Sequence, residues 1–91
     1  MSNVIDITSP IELRNGRREY SALTAYGNQL VGRIDAWLQS HPGLHSPSVV
    51  GRGIKASTAD AAAVLSWLDD RGMFVVGVGN GSWRKYGARS N

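Results

Sequence analysis

Two histidines, His41 and His45, stand four residues apart, the spacing that sets two imidazoles on one helical face for a metal ion. Pro42 and Gly43 lie between them and break the helix such a pair requires. The chain contains no cysteine, which excludes a disulfide framework, a thiolate zinc site and a cysteine nucleophile together. Serines and carboxylates are scattered, with no histidine placed to relay a proton. Gly77-Val78-Gly79-Asn80-Gly81 has the glycine content of a phosphate-binding loop. A dinucleotide fingerprint, however, follows a strand and opens a helix, whereas this run falls inside a predicted hairpin. The chain is therefore not read as an enzyme, and no metal, cofactor or small-molecule ligand is expected.

The chemistry that remains is cationic. The formal charge of the 91 residues is +3. In residues 1–45, Arg14, Arg17, Arg18 and Arg33 are cancelled by Asp6, Glu12, Glu19 and Asp35. The excess lies beyond residue 45, where Arg52, Lys55, Arg71, Arg84, Lys85 and Arg89 face only Asp60, Asp69 and Asp70. No acid follows Asp70, and a basic C-terminal portion points to a polyanionic partner. A solvated, mildly basic surface is the competing reading.

Stepping outward to the elements that must carry these groups, one domain is the natural reading at this length. No apolar run approaches the roughly 20 residues that span a membrane. The start lacks the basic and apolar regions of a secretory signal, so a cytoplasmic protein is expected. Residues 1–20 read as an N-terminal arm or a short extra helix. Val4, Ile5 and Ile7 suit a short strand, and Ser9-Pro10-Ile11-Glu12 has the cap, proline and acid of a helix start, ended by Asn15-Gly16. A first long helix is expected from about Ser21 to Ser40, with Leu23, Tyr26, Leu30, Ile34, Trp37 and Leu38 on one face. Ser46-Pro47 opens a second, short helix that ends near Lys55 and turns Val49, Val50 and Ile54 inward. Ser57 caps a third, with Ala61, Val64, Leu65 and Leu68 buried and Gly72 at its end. A hairpin follows: Phe74–Val78, a Gly79–Ser82 turn carrying Asn-Gly, and Trp83–Tyr86. Phe74, Val76 and Val78 are its expected inward face, and residues 89–91 a tail.

Helix, short helix, tight turn, helix and hairpin make a mainly α chain with a C-terminal β-hairpin. Over residues 44–86 this order resembles the winged helix-turn-helix family, a three-helix core plus a wing, here covering 21–88. Ile54, Ser57, Ala61, Leu65, Leu68, Gly72 and Met73 occupy the family's positions without a gap. The resemblance implies a small transcriptional regulator or a phage- or plasmid-type control protein. It implies that the third helix enters the major groove of double-stranded DNA and that the wing touches the flanking backbone or minor groove.

On that basis the expected DNA-binding residues are Arg52, Lys55, Ser57, Thr58, Ala59, Ala62, Asn80, Arg84 and Lys85, with Arg14, Arg17 and Arg18 as a second patch. About six phosphate contacts would make affinity fall roughly a thousandfold between 50 and 200 mM salt. The outward positions of the third helix, Thr58, Ala59, Ala62, Ala63 and Ser66, include none of the side chains that pair bidentately with base edges. Weak direct readout follows, with specificity left to the wing, the arm or DNA shape. The alternative is a protein-interaction or dimerisation winged-helix module that does not read DNA, its alanine-rich third helix packed on a partner. A homodimer fits either reading. Trp37 and Trp67 are expected in or beside the core. Trp83 and Tyr86 either pack the hairpin onto the domain or stack on the bases of a single strand.

Overall fold

The structure, a computed structural model, describes residues 9–14 and 17–89, and the side chains of all of these except 13, 14 and 17–21. The elements in chain order are β1 (Ile11–Arg14), β2 (Arg17–Leu23), α1 (Ala25–Ser40), α2 (Pro47–Ile54), α3 (Thr58–Asp70), β3 (Val75–Val78), a single 3-10 turn (Gly81–Trp83) and β4 (Lys85–Ala88). Three helices with a C-terminal two-stranded antiparallel hairpin make up the main body. The expected strand over Val4–Ile7, the Asn15-Gly16 stop and the side chains of Arg14, Arg17 and Arg18 lie outside the described residues.

The first departure from expectation is N-terminal. Ser9-Pro10-Ile11-Glu12 does not open a helix: Ile11–Arg14 pairs antiparallel with Arg17–Leu23, shifting register between Glu12 and Arg14. The Ser9 hydroxyl donates to the Ile11 carbonyl (2.9 Å) instead of accepting a cap bond. Thr24 fastens this segment, donating its N–H to the Pro10 carbonyl (3.0 Å) and its hydroxyl to the Ser9 carbonyl (2.8 Å). The same hydroxyl accepts the Gly27 N–H and so caps α1. The helix expected from Ser21 therefore begins at Ala25, and Leu23 belongs to β2.

The stripe on α1 survives this shortening. Leu30, Ile34 and Leu38 are buried against Val50 and Ile54 of α2, Ala61, Val64, Leu65 and Leu68 of α3, and Val75 and Tyr86 of the hairpin. Tyr26, Trp37, Trp67 and Phe74 pack around this core half-buried. Val49 is a correction, for it faces solvent from the outer side of α2. The hairpin face is the other correction. Val75 pairs with Ala88 and Gly77 with Tyr86, so Val75 and Tyr86 turn inward while Val78 is exposed. Phe74, just before the strand, still packs on the core as expected, while within the strand Val75 and not Val76 or Val78 is buried. The hairpin is closed onto the α1–α2 loop by a bridge in which His45 and Tyr86 exchange N–H to carbonyl bonds of 2.8 Å each.

The glycines of α2 are explained by close approach. A Cβ on Gly53 would lie 2.1 Å from Nε1 of Trp37, whose indole rests on the helix backbone. One on Gly51 would press against the Ala56 and Ser57 carbonyls that follow the helix. Gly32 in α1 has open space where its Cβ would be. Gly53→Ala is expected to destabilise the fold by about 1–3 kcal/mol through overpacking, and Gly32→Ala to stabilise it by up to about 1 kcal/mol. Urea denaturation of the two variants, followed by circular dichroism, checks the opposite signs.

Candidate nucleic-acid interface

The turn between α2 and α3 is three residues long, Lys55-Ala56-Ser57. Lys55 takes the left-handed conformation (φ 62°, ψ 48°), which lets Ala56 donate its N–H to the Gly51 carbonyl at 2.8 Å and reverses the chain. A lysine here carries strain that glycine would not. Ser57 caps α3 by accepting the Asp60 N–H at 3.0 Å, a contact worth about 1 kcal/mol in such helices. Thr58 and Ala59 in the first turn are exposed, and Ala62, Ala63 and Ser66 are half-buried.

Asp60, an acid in the first turn of α3, is turned aside. Its carboxylate accepts the Tyr26 hydroxyl at 3.0 Å, tying α3 to α1. Burial and this bond hold the Tyr26 phenol above its ordinary pKa. The first turn of α3 is thus left with small, uncharged side chains on its outer side.

At the other end of α3, Asp69 organises the hairpin. Its side chain keeps 13% of its exposure and receives Arg84 at 2.5 Å and Arg89 at 3.4 Å. Arg84 also donates to the Gly79 carbonyl at 2.7 Å, and Arg89 to the carbonyls of Met73 (2.8 Å) and Val75 (3.0 Å). A Cβ on Gly77 would lie 2.6 Å from Arg84 Nε and 2.8 Å from the Asp69 carboxylate, so glycine there admits the pair. Partial burial raises the Asp69 pKa, but the bonds from Arg84 and the Gly77 N–H outweigh it and hold the carboxyl below its ordinary range. The same pairing raises Arg84 further. The pairing of Asp69 with Arg84 and Arg89 was not expected, because nothing in linear spacing ties a helix-end acid to two later arginines.

The expected site residues fall into three places. Thr58 and Ala62 of α3 join Ser46, Pro47 and Ser48 at the start of α2 and Gly81, Ser82 and Arg84 of the hairpin loop around one cleft of about 330 Å³. Lys55 lies instead on an open groove of about 630 Å³ between α1 and α2, with Arg33, Ala36, Trp37, Ser40, Gly53 and Ile54. Arg33 donates to the Ile54 carbonyl there at 3.3 Å. Arg52, Asn80 and Lys85 are exposed on α2, before the 3-10 turn and at the start of β4. Among the described residues, Arg52, Lys55 and Lys85 have no side-chain hydrogen bond or ion pair.

The aromatic residues divide. Tyr86 is buried, whereas Trp83 is 84% exposed and lies in the 3-10 turn, not in a strand packed on the domain. A tryptophan immediately after Gly-Asn-Gly-Ser is the signal that could have shown this, since a turn tip has little to bury it against. His41 stacks on Trp37 with centroids 4.0 Å apart, and His45 meets the same indole edge-on at 4.8 Å. Their nitrogens bond to the carbonyls of Trp37 and His41. Among the described residues no three acidic or histidine side chains converge as a metal site, and no helix is long and apolar enough to cross a membrane. Compared with known proteins, the chain matches no family model, no curated protein and no solved structure.

The lowered pKa of Asp69 has a defined sign: its stabilisation is complete above the ordinary carboxylate range and is lost as pH falls through the lower folded value. Wild-type thermal stability should drop as pH passes below about 4. Asp69→Asn should be less stable than wild type at pH 7 and lose less on acidification. Thermal melts from pH 7 to pH 2 check both.

Proposed function

We propose that this chain is a winged helix-turn-helix protein that binds double-stranded DNA, as a small transcriptional regulator or a phage- or plasmid-type control protein. The observation that carries the reading is the shared cleft: the start of α3 and the wing loop are on one side of the molecule. A helix N-terminus offers unpaired N–H groups and the positive end of its dipole to a phosphate. The small side chains of Thr58, Ala59 and Ala62 let that end come close to a groove, and Asp60 is withdrawn toward Tyr26. Arg52 and Lys55 at the end of α2 and Lys85 at the start of β4 are, among the described residues, cations without an internal partner, the groups available for phosphate.

Arg84 has a different part in this reading. Committed to Asp69 and to the wing backbone, it holds the wing in place and adds little phosphate affinity of its own. The number of phosphates neutralised is accordingly smaller than a count of basic residues implies.

Three phosphate contacts predict a slope of about −2.7 in log affinity against log salt, a loss of about fortyfold between 50 and 200 mM. Fluorescence anisotropy with a random-sequence duplex measures it. Lys85→Ala should reduce the slope by about 0.9. Lys55→Gly should reduce it equally while raising stability by about 1 kcal/mol, because it relieves the left-handed strain. Affinity independent of salt, or unchanged in both variants, contradicts the reading.

A further inference from the structure

We propose that Trp83 is a wedge that enters the stack of duplex DNA from the wing, so that the protein selects deformable base-pair steps rather than reading base edges. The inference rests on the DNA-binding reading and supplies the specificity that α3 lacks. Trp83 is the most exposed of the large hydrophobic residues described, at 84%, and Val78 near it is 51% exposed. Lys85 pairs across the hairpin with Val78 and is itself exposed, setting a cation beside the apolar tip. No acid follows Asp70, so this tip suits a polyanion better than an acidic or neutral protein surface.

The loop that presents the indole is held from within. Gly79 and Gly81 adopt positive φ (101° and 53°), Trp83 donates its N–H to the Asn80 carbonyl at 3.0 Å, and Arg84 donates to Gly81 at 3.2 Å. The Arg84 side chain ties Gly79 to Asp69 at the end of α3. The tethered loop sets the Trp83 backbone in place before binding, so little backbone freedom is lost when the indole inserts. Apolar side chains inserted in this way unstack a step and kink the duplex, most readily at TA and CA steps.

The test compares two duplexes of equal length, one containing TA and CA steps and one a stiff A-tract, each with 2-aminopurine as a stacking reporter. Wild-type protein should prefer the flexible duplex by about tenfold and brighten its reporter. Trp83→Ala should bring the two affinities within about twofold, abolish the brightening and keep the salt slope. Trp83→Phe should retain part of the preference. Equal affinities for wild type, or a preference that survives Trp83→Ala, overturns the wedge while leaving DNA binding intact. So does tighter binding to the single strand, or a wild-type dimer in sedimentation that Trp83→Ala dissociates. Wild type that binds neither duplex removes the DNA-binding reading and the wedge with it.

Discussion

Asp69 sits in the last turn of α3, where a carboxylate meets the negative end of the helix dipole and should be unwelcome. Arg84 and Arg89, which flank β4 on either side, both close on it, and the Gly77 N–H donates to it as well. The unfavourable position at the helix end is offset by these three contacts. A hairpin of two four-residue strands has little stability alone in water. Here it is fixed at one side by Asp69 and at the other by the bridge from Tyr86 to His45, with Val75 and Tyr86 sealing the core between them. The position of the hairpin relative to α3, and so any surface they share, depends on these anchors together, with Asp69 the charged one among them.

The consequence for function is a division of labour among basic residues. Basic residues that look alike in the chain differ once folded: Arg84 and Arg89 are spent on architecture, while Arg52, Lys55 and Lys85 are exposed and, among the described residues, without a partner. The acids divide too, Asp60 toward Tyr26 and Asp69 toward the wing. The start of α3, which meets the hairpin loop at one cleft, is thereby left with small side chains and no exposed acid. In the DNA-binding reading this favours backbone contact and shape over base-edge hydrogen bonding.

Much of the helical part was legible in the sequence, because its signals are local. Ser46-Pro47 and Ser57 mark the starts of α2 and α3 through side chains that bond to N–H groups three residues on. The periodic Leu30, Ile34, Leu38 and Val64, Leu65, Leu68 become the core. What was missed depends on partners distant in the chain. Ser9-Pro10 has the chemistry of a helix start, yet Thr24 captures it by bonds that no local pattern announces. The inward face of β3 was inverted by one residue, because an unbroken Phe74–Val76 run has no alternation to set the register. Of the expected site, Thr58, Ala62 and Arg84 meet at one cleft, while Lys55 lies on the α1–α2 groove. The attachment of Arg84 to Asp69 could not be seen from spacing.

The central claim is that the start of α3 and the wing tip form one surface for duplex DNA. Backbone amide shift mapping of the labelled protein with a duplex at low salt tests it most directly. The account predicts perturbations clustered at residues 52–62 and 79–85, with Trp37 and Ser40 on the α1 side of the α1–α2 groove unaffected. Shifts confined to that groove, or none at saturating duplex, would contradict it.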